Sequence, residues 1–347
     1  MKKPFLFTLS IIFWLTQLPP FGGTEGGCQD IHFSQFYFSP LNLNPAHTGF
    51  FNGTHRLALN YRNQWKMAAG GFPYITYAAS VDMHILDKIM TSADIMGVGV
   101  AAFSDKAGTG HLAKQGVLAS LAYNRDLMGN GRHIFGLGFQ GGLIQMGFDP
   151  NELRFGNDIL SGNPDSKGGG GQEVFQNNLS YIDVNAGALW NFIPIKIVKI
   201  YLGVSTYHLT KPTENFQDAG VKNYLSSRIS VQGGASISPT AEWDVLPSIL
   251  FMRQDASNET NLGTAIRYNT PNMKIRFGTW YRYWNNSDAL IFMTGLEFLD
   301  FTLGISYDIN ISSLKESSKG RGSYELALIY ILNTKKNVRY DIKCPEF

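Results

Sequence analysis

From about His55 to the C-terminus, the sequence alternates apolar and polar residues over short segments that turn residues separate. In Met273–Trp284, for example, Phe277 and Tyr281 fall on one face and Arg276 falls on the other. A period of two predicts strands with one apolar face and one polar face. Because the pattern recurs to the end of the chain, it predicts an all-β fold, a barrel with lipid outside and a polar lumen inside.

Dividing the alternation at the turns gives 14 segments, an even number, as a closed bacterial barrel requires. The longest connection, 147–177, follows an odd-numbered segment, whereas the turns after even-numbered segments are short, except 83–93. Long external loops and short periplasmic turns are typical of outer-membrane barrels, so both chain ends are expected in the periplasm. The segments are 55–65, 72–82, 94–104, 115–125, 132–146, 178–191, 196–208, 225–238, 242–253, 261–270, 273–284, 289–298, 301–310 and 321–333.

The composition suits a barrel whose outer surface faces lipid. Charged residues make up only 16% of the chain, against about 25% in a typical soluble domain. The net charge is +2 with no long basic run, so no nucleic-acid partner is expected. Aromatic residues reach 13%, and the set expected to include members of the interfacial girdles is Trp65, Trp190, Trp280, Tyr281, Tyr283 and Trp284.

The N-terminus divides into two parts before the barrel, which is predicted at 55–347. Lys2 and Lys3 precede an apolar stretch from Phe5 to Leu18, which predicts an export signal over residues 1–28. That stretch is shorter than the roughly 20 residues of a membrane-spanning helix. Residues 29–54 do not alternate cleanly but are aromatic and poor in charge, so they are expected to pack in or under the barrel. The candidate structural or partner-contact residues there are Phe33, Phe36, Tyr37 and Pro45.

Turn positions also predict strand register. Closing the turn at Pro271–Asn272 pairs Tyr268 with Ile275 and Ile266 with Phe277, all on the apolar face. The same turn brings Arg267 beside Arg276 on the polar face. If 285–288 forms a tight hairpin, Glu297 lies opposite Arg276, which predicts a luminal ion pair that also offsets Arg267.

Motifs for chemistry are weak throughout the chain. Gly136–Gly141 matches GxGxxG, but it lies inside an alternating segment, where small residues in a crowded lumen explain it better than a dinucleotide site. Ser205 and His208 suggest a barrel hydrolase, yet they are three residues apart and are expected to face opposite sides. We therefore predict no catalytic residues and no enzymatic activity.

No metal or cofactor site is expected either. Cys28 and Cys344 have no metal-ligand spacing, and no HExxH motif occurs. Asp149, Asn151 and Asp158 lie together in the longest connection and are compatible with calcium, but their spacing is not that of an EF-hand. Ordinary loop polarity is the simpler interpretation of these three residues.

One family resemblance extends along the chain. The run QDIHFSQFYFSPLNLNPAHTGF at Gln29–Phe50 resembles the signature of the PorP/SprF family of the type IX secretion and gliding apparatus of Bacteroidota. Further similarities are LNYRNQW at Leu59–Trp65, PYITYAASVD at Pro73–Asp82 and the C-terminal VRYDIKCPEF. The sequence departs from the family pattern at Ile31, where proline is usual, and at Cys28.

The resemblance implies an integral outer-membrane component of type IX secretion. Such proteins are associated with a periplasmic ring of lipoprotein and protein subunits, and with export or surface attachment of large adhesins that carry a particular class of C-terminal domain. No catalytic residues are known for the family. The alternative is a FadL-like outer-membrane channel for a small or hydrophobic solute, which would show conductance in bilayers instead of co-purification with ring subunits.

Overall fold

The computed structural model describes residues 30–64, 73–86, 94–107, 112–148, 178–214, 223–284, 286–312 and 315–332. No helix among these residues is long and apolar enough to cross a membrane. The strands are His55–Gln64 (β1), Tyr74–Ile85 (β2), Ile95–Ala107 (β3), Leu112–Asp126 (β4), His133–Gly147 (β5), Asn178–Ile195 (β6), Val198–Tyr207 (β7), Arg228–Ile237 (β8), Trp243–Gln254 (β9), Ser257–Asn269 (β10), Met273–Trp284 (β11), Asn286–Phe298 (β12), Phe301–Asn310 (β13) and Arg321–Leu332 (β14).

The strands form a closed antiparallel barrel in which each pairs with its sequence neighbours and β1 pairs with β14. The predicted 14-stranded fold is confirmed. The largest differences in strand bounds are four residues each: β6 ends at Ile195 instead of residue 191, and β10 begins at Ser257 instead of residue 261. The polar run that opens this strand hides the alternation, and Asp255, with φ of 53°, makes the preceding turn tighter than expected.

Side chains alternate between lipid and lumen as the sequence predicts. Phe277 is 64% exposed on the outer surface, whereas Arg276 and Arg282 are buried inside. Trp280 has the same parity as these arginines and is buried in the lumen, so its assignment to an interfacial girdle is wrong. The girdle candidates that do face outward are Trp190, Tyr281 and Tyr283, while Trp65 and the side chain of Trp284 lie outside what the structure describes.

The predicted register at the Pro271–Asn272 turn is confirmed. Tyr268 pairs with Ile275, Ile266 pairs with Phe277, and Arg267 lies directly opposite Arg276. All these pairs keep one face of the sheet apolar and the other polar, which is what independent turns should give in a real barrel.

The predicted register between β11 and β12 is wrong by two residues. Gly295 lies opposite Arg276, and Glu297 lies opposite Lys274. The hairpin is tighter than expected, since Trp284 pairs with Asn286, and a bulge follows Arg282. The tighter turn shifts the register by three residues and the bulge reverses one of them. The sequence could not reveal either, because neither changes the alternation along the rest of the two strands.

The barrel has two different ends. The connections 148–177 and 208–227 both follow odd-numbered strands, and we call this the long-connection end. At the opposite, short-connection end, 196–197 and 299–300 are two-residue turns. The predicted signal segment, both cysteines, the calcium candidates and the C-terminal motif lie outside the described residues.

Candidate functional site in the barrel lumen

Residues 30–54, the luminal segment, lie inside the barrel. Residues 33–41 and 43–51 are buried, and the segment bonds to strands on several sides of the ring, including β2, β6, β8 and β14. It contains a 3-10 turn at Phe36–Phe38, a single helical turn at Pro40–Leu43 and a second 3-10 turn at Pro45–His47. Pro40 and Pro45 each open a turn, where a fixed φ is favourable and no backbone N–H is needed.

The luminal segment passes from one end of the lumen to the other. The Asp30 carboxylate lies 3.1 Å from Lys114 Nζ near the start of β4, at the long-connection end. At the short-connection end, the Thr54 N–H donates to the carbonyl of Leu332, the last residue of β14. Residues 1–29 and 333–347 lie outside the described residues, so the predicted periplasmic position of both termini stays a prediction.

An ionic cluster holds the first residue of the luminal segment. Asp30 lies 2.5 Å from His208 Nε2 and 3.6 Å from Arg228 Nη1, in addition to its contact with Lys114. Burial alone raises the pKa of Asp30, but these cations hold it well below its usual range. His208 also lies 3.0 Å from Asp183. Its two carboxylate neighbours outweigh burial and raise the pKa of His208.

A second ionic group holds the next residues through their backbone. The N–H groups of Ser34 and Gln35 donate to the Glu325 carboxylate at 2.7 and 2.9 Å. The Ser34 hydroxyl donates to Asp308, which Arg282 also contacts at 2.9 Å. Charge-assisted bonds of this kind are stronger than neutral ones, so β13 and β14 fix the backbone here.

The middle of the luminal segment is apolar. Phe36, Tyr37 and Phe38 pack against residues of β9 to β14, including Trp280 and Ile291. The rings of Tyr37 and Trp280 are 5.8 Å apart, and the Tyr37 hydroxyl donates to the sulfur of Met293. One side of the lumen is therefore a hydrophobic core formed by the segment and the wall.

Asn44, Pro45 and Ala46 fit closely against the opposite wall. The Asn44 side-chain oxygen accepts from the Ala46 N–H at 2.9 Å, and its Nδ2 donates to the carbonyls of Ala188 and Val204. At Gly138 a Cβ would lie 2.3 Å from the carbonyl carbon of Pro45, so no larger residue fits without displacing the segment. Gly136 and Gly138 belong to the GxGxxG run, which confirms that the run provides small residues in a crowded lumen.

Arg56 and Asp82 fix the last part of the segment. Arg56 Nη2 donates to Asp82 at 2.8 Å and to the carbonyl of His47 at 2.9 Å, while Asp82 accepts from the Gly49 N–H. His47 Nε2 lies 2.6 Å from Gln232 Nε2 and acts as the acceptor. Burial and the nearby Arg56 cation lower the pKa of His47 to about 3.

All four contact candidates in the luminal segment are buried inside the barrel: Phe33, Phe36, Tyr37 and Pro45. The three residues of the predicted ion pair do not form one cluster. Glu297 lies 2.8 Å from Lys274 but 3.8 Å from Arg276, and Arg267 pairs with Asp244 at 2.6 Å. Glu297 therefore does not offset Arg267.

Sequence reasoning missed Asp30, Asn44 and His208. Ser205 and His208 were expected on opposite faces, but both are buried inside, because His208 follows the strand with φ of 60° and turns inward. The sequence offered one signal for Asn44. It directly precedes Pro45, and asparagine is a favoured N-cap residue at the start of a helical turn. Among the described residues, no group of three His, Cys, Asp or Glu side chains is arranged to hold a metal ion.

A closed 14-stranded barrel with an apolar exterior and a luminal N-terminal segment defines a plugged membrane barrel. The chain matches the family of type IX secretion system membrane proteins PorP/SprF over residues 26–330, and it belongs to that family. It is therefore an outer-membrane component of type IX secretion. No curated protein matches the chain.

Solved structures show the same fold at low sequence identity. The toluene transporter TodX of Pseudomonas putida aligns with a TM-score of 0.51 and 10% identity, over 84% of this chain and 92% of that one. A deltaS2 mutant of TodX, a monoaromatic hydrocarbon channel, gives 0.50 and 10% over 84% and 93%. A Pseudomonas aeruginosa FadL homologue gives 0.48 and 11% over 83% and 92%. At these identities the two TodX structures show the fold alone.

Proposed function

We propose that this barrel is a docking component of the type IX apparatus. It binds the periplasmic ring lipoprotein and associated subunits, and it supports export or surface attachment of adhesin-type clients through their C-terminal domain. The observation that supports this role is the luminal segment, which occupies the lumen from Asp30 at one end to Thr54 at the other. A polypeptide client does not pass through an occupied lumen, so the barrel contributes binding surfaces instead of a conduit.

The way the luminal segment is held supports the same conclusion. Its ends are ionic, its middle is apolar, and Asn44 bonds to wall carbonyls on β6 and β7. Removing the segment would leave several buried charges and backbone groups without partners, each at a cost of about 1–3 kcal/mol. We therefore treat the plugged barrel as the working state.

The proposal includes an orientation and a division of the chain. We place the long-connection end outside the cell and the short-connection end, with the chain following Leu332, in the periplasm. Residues 1–28 act as the export signal, 29–54 form the segment inside the barrel, and 55–347 form the outer-membrane barrel. On this orientation ring subunits meet the short turns, and clients meet the long connections.

The alternative function, a FadL-like solute channel, needs an aqueous or apolar path from one end to the other. The buried residues 33–51 occupy that path in the described part of the chain. The similarity to hydrocarbon channels is at 10% identity and supports the fold, not a transported solute.

The deciding experiment is affinity purification of the tagged full chain from native outer membranes in an uncharged detergent. We expect ring lipoprotein, associated ring subunits and an adhesin C-terminal domain to co-purify. The matched control is an unrelated tagged outer-membrane barrel from the same cells. Absence of all these proteins, together with solute-dependent conductance of the pure protein in planar bilayers, would replace the docking role with the channel.

A further inference from the structure

The short-connection end of the barrel is apolar on one side and polar on another. The β4–β5 and β6–β7 hairpins, which are joined by the pairing of β5 with β6, carry four exposed apolar side chains: Leu127, Met128, Ile195 and Ile197. The next two connections at this end, 238–242 and 270–272, consist of serine, threonine, proline, alanine, asparagine and glutamate. We call residues 125–132 and 192–199 the β4–β7 lobe.

The two hairpins of the β4–β7 lobe are fixed to each other. The Ile193 N–H donates to the carbonyl of Arg132 at 2.9 Å, and the pairing of β5 with β6 continues up to this bond. Within the first turn, the Asp126 carboxylate accepts from the N–H groups of Met128 and Gly131 at 3.2 and 2.6 Å. A surface that is already held in place loses little conformational entropy when a partner binds.

The apolar tips of the lobe lie beyond the membrane interface. Trp190 faces outward and its ring marks that interface, and Ile195 follows it by five residues toward the turn. Five residues of a tilted strand span roughly 12 Å along the membrane normal. The interfacial region on each side of the hydrocarbon core is about 6 Å thick. Ile195 and Ile197 therefore extend past the lipid headgroups, where a cluster of exposed apolar side chains marks an interaction site.

The β4–β7 lobe is also basic. It contains four cations, of which Arg125, Arg132 and Lys196 are exposed beside the apolar tips. Its one carboxylate, Asp126, is buried and bonded within its own turn. Asp94, just before β3, accepts two hydrogen bonds from β4. An apolar surface edged by cations complements a partner surface that is apolar and edged by carboxylates.

An anionic lipid surface is the other partner that suits a basic and apolar surface. Where such a surface binds lipid, its apolar side chains enter the bilayer and its cations stay nearer to water. In the lobe, Met128 and Ile197 lie at the hairpin tips, furthest from the bilayer. Arg125 lies nearer to the bilayer, since it pairs with Phe135, which pairs in turn with Trp190. This order favours a protein partner.

We propose that the β4–β7 lobe is the surface of this barrel that binds the periplasmic ring subunits. The partner presents an apolar groove for the Met128 and Ile197 side chains, and carboxylates beside that groove meet Arg125, Arg132 and Lys196. This assignment rests on the docking role and on the orientation proposed above. It goes further than both, because it confines the contact to one side of the short-connection end and states the chemistry of the partner face.

The test is affinity purification of the tagged full chain from native outer membranes, with the amount of ring lipoprotein per barrel as the measured quantity. Met128→Ser combined with Ile197→Ser should lower that amount about 10-fold or more, the effect of truncating side chains at the centre of an interface. Heat-modified gel mobility verifies that the variant barrel is folded. Unchanged capture by the folded double variant would overturn the assignment and leave the docking role intact.

Leu299→Ser is the matched control for the apolar tips. Leu299 is 76% exposed at the same end of the barrel, but it lies on the opposite side of the ring, in the β12–β13 turn beside Asp300. This variant should leave capture within about two-fold of the wild type. An equal loss in Leu299→Ser and in the lobe variant would refute a surface confined to the lobe. If the wild-type chain captures no ring subunit, the docking role fails, and this assignment fails with it.

The cations of the lobe are tested by Lys196→Glu. Capture should fall roughly five-fold at low salt and less at high salt, because screening weakens interactions between exposed charges. Lys315→Glu is the control, since it makes the same change in net charge at an exposed residue of the long-connection end. Equal losses in the two variants would contradict a local contact. Loss of co-purified phosphatidylglycerol in the lobe variants, with ring capture unchanged, would assign the lobe to lipid and overturn the proposal.

Discussion

The two ends of the luminal segment are held by charges, whereas its centre is held by shape. At Asp30 the contacts are ion pairs with Lys114, His208 and Arg228. At Pro45 the wall contributes Gly138, whose missing side chain is what admits the segment. Ion pairs respond to pH and salt, and close packing does not. The contrast indicates a segment anchored at its centre with a titratable attachment at the long-connection end.

The same contrast appears in the two buried histidines. The pKa of His208 is raised by Asp30 and Asp183, so its stabilising contribution is complete below the unfolded value near 6.5 and is lost as the pH rises through the raised pKa. The pKa of His47 is lowered to about 3, so the cost of protonating it grows as the pH falls from about 6.5 toward 3. Acidification from alkaline pH therefore completes the His208 attachment by about pH 6.5, and further acidification weakens the hold at His47.

The largest expected effect tests the shape-matched centre. Gly138→Ala places a methyl group against the Pro45 and Ala46 backbone, which a side-chain rotation does not relieve. We expect a loss of about 3 kcal/mol, the upper range for overpacking, and faster proteolysis within residues 40–47. Thermal unfolding and limited proteolysis measure both.

Gly141→Ala is the matched control on the same strand, because its new Cβ would meet nothing nearer than 3.6 Å. It should change stability by less than about 0.5 kcal/mol. Similar losses in the two variants would show that an added methyl group destabilises β5 at either position. The centre of the luminal segment would then not be an anchor.

The next effect concerns polar anchoring at the same point. Asn44→Ala removes the bond to the Ala46 N–H and the two bonds to wall carbonyls. We expect a loss of about 2 kcal/mol, since a buried donor or acceptor without a partner costs about 1–3 kcal/mol. Asn44→Asp should lose at least as much, because it keeps the bond to Ala46 but presents oxygen to both carbonyls. If Asn44→Asp is as stable as the wild type, the carbonyl bonds contribute nothing.

A smaller effect tests the ionic attachment. His208→Gln removes the cation between Asp30 and Asp183, and we expect a loss of about 1.5 kcal/mol near pH 6, the value for a charged hydrogen bond. The difference from the wild type should shrink as the pH rises through the raised pKa of His208. Hydrogen exchange should rise at residues 30–35 and not at 44–47. A difference that is independent of pH would mean that His208 acts through packing.

The alternation of the sequence was sufficient to predict the strands, but not the interior. A strand's two faces follow from period two, so Phe277 and Arg276 were assigned correctly without any tertiary contact. The tertiary partners of the luminal segment were not predictable, because Asp30 meets Lys114, His208 and Arg228, which come from three distant parts of the chain. Distant pairing of this kind leaves no local periodicity.

The predictions for Trp280 and for the β11–β12 register were wrong for different physical reasons. Trp280 follows the parity of Arg276 and Arg282, but an expectation from residue type placed it in a girdle instead of the lumen. The register depended on the length of one turn: the tighter hairpin moves the pairs by three residues, and the bulge after Arg282 reverses one of the three. Residue type and turn length are weaker guides than the alternation itself.

The smallest expected effect concerns that corrected register. Glu297 has Lys274 at 2.8 Å and Arg276 at 3.8 Å, and the side chains of Lys274 and Glu297 are 34% and 29% exposed. Partly solvated pairs are worth about 0–1 kcal/mol, so Glu297→Gln should cost about 0.5 kcal/mol. A double-mutant cycle of Glu297→Gln with Lys274→Gln should give the larger coupling energy, and the cycle with Arg276→Gln the smaller one. The reverse order would restore the direct Arg276–Glu297 pairing expected from the sequence and would contradict the register described here.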